Sequence, residues 1–265
     1  EGTFCKYRTA ADNGKAADAN RANKYLNECI AACNAVFAHG YTLAPDYKAN
    51  YCSTDLESNS EMIFVKSYVK DLFAHSTIDY TSSSSNQNGI TKDAFDSFLF
   101  LDGKPLASTT LDKSDAAELD ADGNVSISKA LSVRDKRLAA IVDPCLGFKG
   151  YGWTRVEGAK MTSATGYTIG KFDDPEAFEL YYRQNIGTNY TDAPIFWLAP
   201  VYLAYAEAKA ELGTITQDDL NKTINKLQAR AGLPDMTTAP AADPANDMGV
   251  SNLIWEIRRC RRCEL

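Results

Sequence analysis

Apolar side chains recur at helical spacing near the start and over the last quarter of the chain, and lose that period in between. Over residues 17–39, Leu26, Cys29, Ile30, Cys33, Val36 and Phe37 share one face of a 3.6-residue repeat, which predicts an amphipathic helix. Asp18 stands where an N-cap accepts backbone N–H groups, and Gly40 where a helix stops. Phe4 to Tyr7 reads as the end of a partner helix. Ala199 to Leu212 is alanine-rich, offers Tyr202, Leu203, Tyr205, Ala206 and Leu212 for packing, and ends at Gly213. Thr216 and Asp219 have capping-box spacing, and Leu220, Ile224, Leu227 and Ala231 follow at helical intervals until Gly232 and Pro234. Together, residues 199–232 predict an antiparallel helical hairpin close to the length of a tetratricopeptide unit, about 34 residues. Ser251 to Leu265 reads as a helix cut off in mid-course, so both ends look like those of a fragment.

Between these helices the pattern is irregular. Tyr41 to Tyr51 reads as a loop with Pro45 and Asp46 as turn residues, and Glu61 to Val65 as a short strand or extended segment. Residues 82–128 read as polar loops, beginning with the solvated run Ser82 to Gly89. Within them Asp93 to Leu101 is either a short helix or irregular. A compact charged and apolar stretch follows at 133–142. Residues 148–190 are rich in aromatic residues and glycine without helical period, which predicts an irregular loop region.

Composition narrows the function. The 265 residues are 45% hydrophobic and 24% charged, as expected of a globular protein with a sizeable core. A net charge of −7 argues against nucleic acid and favours a neutral ligand over a phosphate backbone. No run approaches the roughly 18 apolar residues of a membrane helix. Glu1-Gly2-Thr3-Phe4 has neither the basic start nor the apolar stretch of a signal peptide.

The seven cysteines are Cys5, Cys29, Cys33, Cys52, Cys145, Cys260 and Cys263, an odd number at spacings unlike a disulfide framework. Cys29 with Cys33 and Cys260 with Cys263 leave two readings open, small core residues or a four-thiolate zinc site; the first fits helical positions better. The chain has two histidines, His39 and His75, and no P-loop, G-x-G-x-x-G, H-E-x-x-H or G-x-S-x-G, so nothing points to catalysis. Asp112, Asp115, Asp120, Asp122 and Asn124 form either a solvated acidic loop or a calcium site whose spacing is not that of an EF-hand. Arg258, Arg259, Arg261 and Arg262 spread around a helix, which suits packing against acidic neighbours.

Six blocks in order give the sequence a family resemblance. They are Glu61-Met62-Ile63-Phe64, Asp102-Gly103-Lys104-Pro105, Arg134-Asp135-Lys136-Arg137-Leu138, the run Pro194 to Ala208, Leu227 to Pro234, and Ile257-Arg258-Arg259. With these the chain resembles the SusD/RagB family of nutrient-binding outer-membrane lipoproteins. The resemblance implies a mainly α fold of tetratricopeptide-like helix pairs with long irregular loops and a few short strands, organised as a single domain over 1–265 truncated at both ends. It also implies cell-surface binding of oligosaccharide or polysaccharide for nutrient uptake, without cofactor or catalysis. The implied partner is a SusC-like TonB-dependent transporter, and the implied place is the extracellular face of the outer membrane, held by an N-terminal lipid upstream of Glu1. Three departures stand out: Trp197 where the family commonly has Arg, Pro200 where it has Glu, and Cys260 where it has Glu. Pro200 is expected near the first turn, shifting the helix start; Cys260 puts a buried Arg–Glu pairing in doubt.

A glycan site in such a protein falls in the aromatic loops. A sugar offers an apolar C–H face that an exposed ring stacks on and a hydroxyl rim that polar side chains bond; equally, rings in such a segment can simply fill the space beneath it. Trp153, flanked by glycines and accompanied by Tyr151 and Arg155, is the first candidate, with Tyr190 and the pair Tyr181 and Tyr182 next. The alternative function is a tetratricopeptide-like protein-binding scaffold using the 199–232 hairpin.

Overall fold

The computed structural model describes residues 1–8, 15–82, 88–111, 127–143, 164, 165 and 167–265. Trp153, Tyr151 and Arg155, Cys145 and the acidic stretch 112–124 lie outside the described residues. The chain is mainly helical. It runs through α1 (Gly2–Tyr7), α2 (Ala19–Phe37), α3 (Ala49–Cys52), β1 (Met62–Lys66), α4 (Thr77–Ser82), α5 (Lys92–Asp96), α6 (Ser128–Val133) and α7 (Lys136–Ile141). It continues through β2 (Val142–Asp143), β3 (Thr168–Ile169), α8 (Leu180–Gln184), β4 (Ala193–Trp197), α9 (Leu198–Glu211), α10 (Gln217–Lys222), α11 (Ile224–Ala231) and α12 (Asn252–Glu264). α8 is a departure from expectation: a short helix does form in the glycine-rich region, in the glycine-free stretch before Gly187.

The described residues fall into two compact units. The first comprises Glu1–Leu43, Trp197–Ala229 and Asp235–Leu265. In it α1 and α9 pack on α2, and α12 packs on α9. Their buried faces share one core built from Leu198, Tyr202, Leu203, Leu220, Ile224, Leu227 and Ile257, with Val36 and Phe37 packed against it. The ends of α2 are where the sequence puts them: Asp18 accepts from Arg21 N at 3.0 Å, and Gly40 takes φ +80°. Pro200 is the third residue of α9, where the N–H has no intrahelical acceptor to lose, so the helix starts cleanly behind Trp197.

Thr216 and Asp219 form the expected reciprocal box. The single helix expected after it is instead two, broken at Thr223 (φ −128°, ψ −88°). There the Thr223 hydroxyl donates to the Asp219 carbonyl at 2.6 Å, a local bond that competes with continuing the helix.

The arginines of α12 do meet carboxylates. Arg258 bonds Glu207 and Glu211 (3.0 and 2.9 Å), Arg261 bonds Glu207 (3.0 Å), and Arg259 bonds Asp243 and Glu256. A buried Arg–Glu pair, Arg259 with Glu256, therefore forms without a glutamate at position 260. Burial pushes the Glu256 carboxyl up to about 7.

Cys5, Cys33, Cys52, Cys260 and Cys263 are buried, and Cys29 is half-buried. Among the described residues no three or more His, Cys, Asp or Glu side chains gather as a metal site. Cys29 and Cys33 face the α9 carbonyls of Ala204 and Val201 (3.9 and 3.6 Å). The adjacent Cys33 thiol draws the Cys29 thiol down to about 7, the same contact and burial drive that of Cys33 up, and burial pushes Cys52 up to about 12. Since the thiolate is the nucleophile, Cys29 is expected to react ahead of Cys33 and Cys52 with an aromatic disulfide reagent at neutral pH. Loss of a fast phase in Cys29→Ser would bear this out, and an unchanged time course would refute it.

The second unit comprises Ala44–Phe196 and Arg230–Pro234. Two small sheets brace it: β1 with β4, and β2 with β3 in antiparallel register, Val142 opposite Ile169 and Asp143 opposite Thr168. Glu61, fully buried at the entry to β1, is a hub. Its Oε2 accepts from Ala44 N (3.0 Å), Asn50 Nδ2 (3.0 Å) and Arg230 Nη1 (2.7 Å). The 134–138 block works locally. Arg134 lies over Phe95 and Phe100 (5.1 and 4.3 Å to the ring centres) and donates to Phe98 O. Asp135 caps α7 and holds Arg137 in a two-point pair. Gly103 takes φ +73° in a turn whose missing Cβ would lie 2.6 Å from Pro234 Cγ, so this close approach requires glycine.

Candidate functional site

Within the second unit, the chain leaving β1 turns back on itself at once. Val69 and Phe73 exchange both backbone hydrogen bonds at 2.9 Å, closing a three-residue loop of Lys70, Asp71 and Leu72. The reversal needs one left-handed residue, and Asp71 supplies it at φ +61°. A short polar side chain makes aspartate one of the few non-glycine residues that tolerate this region.

The hairpin is held against the segment 178–192. His75 and Asn189 pair through their backbones (2.8 and 3.0 Å), Asn189 Oδ1 accepts from Ile78 N, and its Nδ2 donates to Tyr182 O. The buried Asp192 carboxylate accepts from Leu56 N and Tyr68 N, at 3.0 and 2.9 Å. Arg183 forms a buried two-point pair with Asp173, fixing α8 from below.

On this frame stand two groups of rings. Tyr182 meets Tyr181 and Tyr190 edge-on, with centres 5.1 and 5.3 Å apart, and Tyr190 meets Phe178 at 5.4 Å. Tyr68 and Phe73 lie nearly parallel, 5.0 Å apart. Each group is capped by an ammonium. Lys70 Nζ is 4.3 Å from the centre of Tyr182 and 5.8 Å from that of Tyr190, and Lys66 Nζ is 5.1 Å from both Tyr68 and Phe73. The Tyr182 hydroxyl donates to Asp71 Oδ2 at 3.2 Å, and Lys70 reaches Glu179 at 3.8 Å. Leu72 is 82% exposed, Ile186 73% and Tyr181 56%, so the cluster faces solvent.

Of the residues singled out in the sequence, Tyr181, Tyr182 and Tyr190 come together here. The sequence reasoning missed Lys66, Tyr68, Lys70, Asp71 and Phe73. One signal for them is present: Lys66, Tyr68 and Lys70 occupy alternate positions after a strand and therefore share a face.

His75, at the foot of the hairpin, has its tautomer set by its neighbours. Nδ1 accepts from Thr77 N at 3.1 Å, so Nε2 carries the hydrogen and donates to Thr191 O at 2.9 Å. Burial lowers its pKa. The unfolded state then binds more protons just below the free-histidine value of about 6.5, so this contribution to stability falls as pH drops through that window. In an NMR titration the imidazole of His75 is expected to protonate below that value; protonation above it would contradict the assignment.

Comparisons with known proteins agree with the fold. A SusD-like carbohydrate-binding protein from Bacteroides fragilis superposes with a TM-score of 0.66 at 21% identity, covering 91% of this chain and 46% of that one. A second SusD-like protein from Bacteroides fragilis gives 0.59 at 22% identity, covering 98% and 54%. A SusD superfamily protein from Parabacteroides distasonis gives 0.54 at 16%, covering 98% and 46%. The chain thus spans about half the length of the structures it matches. A search among curated proteins finds no match. The SusD family model matches residues 35–265, nearly the whole sequence, and the chain belongs to the SusD family.

Proposed function

We propose that this protein binds glycans without breaking them down, delivering oligosaccharide or polysaccharide at the outer face of the outer membrane to a SusC-like TonB-dependent transporter, and that an N-terminal lipid tethers it there. The observation that carries the reading is the cluster of exposed Tyr181 with half-buried Tyr182 and Tyr190, rimmed by Lys70 and Asp71. Rings and hydrogen-bonding groups side by side are what a sugar's apolar face and hydroxyl rim require. Membership of the SusD family, and a similar fold in a protein described as carbohydrate-binding, support it. We assign Trp153, Tyr151 and Arg155 to the same role as further contacts.

Calorimetric titration with an oligosaccharide panel tests this. Tyr182→Ala removes both a ring and a hydroxyl and is expected to weaken binding at least about tenfold, a loss of roughly 1.4 kcal/mol. Trp153→Ala, run in parallel, tests the other assignment. Equal affinity of Tyr182→Ala and the parent protein would remove the cluster from the site.

The exposure of Leu72 and Ile186 favours a second reading, in which the tip docks on a protein. Leu72→Glu would then abolish binding to a transporter while no sugar binds.

A further inference from the structure

We infer that the glycan recognised at this cluster is an anionic one, bearing carboxylate or sulfate groups met by Lys66 and Lys70; the inference rests on the glycan reading above and narrows it. The whole-chain charge of −7 favours a neutral ligand, but the charge at the cluster is arranged differently. A pyranose stacks on a tyrosine through its C–H face, which requires an open ring face. At Tyr182 one face is taken by the Lys70 ammonium at 4.3 Å, and its edges meet Tyr181 and Tyr190. At the Tyr68 and Phe73 pair, the Lys66 ammonium lies 5.1 Å from each ring centre. An incoming ligand therefore meets two cations presented on rings, beside the exposed rings of Tyr181 and Phe73.

Among the described residues only one carboxylate comes within ion-pair distance of either ammonium. Lys66 has no ion pair among the described residues; its contacts are the two rings. Lys70 has one, to Glu179, which is long at 3.8 Å and joins side chains 44% and 75% exposed. An exposed pair of that kind is weak and exchanges readily with a ligand's anion. Asp71 and Glu57 keep their charge but point it at hydroxyls, of Tyr182 and of Ser67 at 3.0 Å, rather than at an ammonium. A carboxylate or sulfate on the sugar would form charge-assisted hydrogen bonds with the ammonium groups, roughly twice as strong as those a neutral hydroxyl forms. The rings behind each lysine hold its cation in place and supply apolar contact to the rest of the sugar.

The test is calorimetry with matched pairs: uronate oligosaccharides against their methyl esters, sulfated fragments against desulfated ones, and neutral glucans, mannans and xylans alongside. The expected result is that an anionic member binds tightest, about tenfold or more above its neutral partner. Raised salt should shrink that advantage. Lys66→Met with Lys70→Met should remove it while circular dichroism stays unchanged. A neutral glycan binding tightest, indifferent to both substitutions, overturns the anionic assignment and leaves glycan binding standing. An anionic glycan binding equally well to the double variant also overturns it. No binding anywhere in the panel overturns both readings.

Discussion

Glu61→Ala is expected to destabilise the protein by about 3–5 kcal/mol, the penalty for stripping a buried charge of its counter-charge. Glu61 has a fully buried side chain and Arg230 one only 5% exposed, and they meet at 2.7 Å. The alanine variant removes the carboxylate that faces this guanidinium. It also orphans Asn50 Nδ2 and the backbone N–H of Ala44, both of which donate to the same oxygen. Glu61→Gln keeps the shape and one acceptor and should fall between parent and alanine. Urea denaturation followed by far-ultraviolet circular dichroism measures the difference directly. A midpoint for Glu61→Ala matching the parent would mean that the hub contributes nothing.

The second large effect is expected at Asp219, with about 2–3 kcal/mol lost at neutral pH in Asp219→Ala. Its carboxylate accepts from Lys209 Nζ (2.8 Å), Tyr205 OH (3.0 Å), Thr216 N (2.8 Å) and Thr216 Oγ1 (2.6 Å). Burial alone would raise the pKa, but the Lys209 and Thr216 bonds outweigh it and hold the carboxyl well below the usual range. A depressed folded-state pKa gives stability that is fully present above the unfolded value, about 3.9, and is lost as pH falls below it. The parent protein should therefore lose stability on acidification through that range, and Asp219→Ala should show a flatter acid limb from a lower plateau. Parallel profiles for the two proteins would show that Asp219 titrates as an ordinary carboxylate.

What the sequence made legible follows from how local each signal is. The ends of α2 and the start of α10 were readable because Asp18, Gly40, Thr216 and Asp219 act on backbone within one turn of themselves. The break at Thr223 was not. Leu220, Ile224 and Leu227 keep helical spacing across it, and apolar periodicity is blind to a single residue's dihedral angles. Glu61 and Arg230 were each visible as part of a recurrent block, but not as partners, since 169 residues separate them. At the candidate site, three tyrosines could be proposed from aromatic density alone. The hairpin that brings Lys70 and Asp71 to Tyr182 could not, because its loop carries no Asn-Gly or Asp-Gly signal and turns on an aspartate held at positive φ.

The strap Arg230–Pro234 has a consequence for the order in which the molecule can be made. The second unit is otherwise one continuous stretch, 44–196, yet the arginine that neutralises Glu61 arrives thirty-odd residues after that stretch has ended. During synthesis, a chain paused after β4 holds every other residue of the unit while Glu61 still lacks this cation. Its final closure waits on α9, α10 and α11 leaving the ribosome. Such late, non-local closure slows folding. It also sets a rule for dissecting the protein: a fragment ending at Phe196 is a different object from the same fragment supplied with the peptide that follows Ala229.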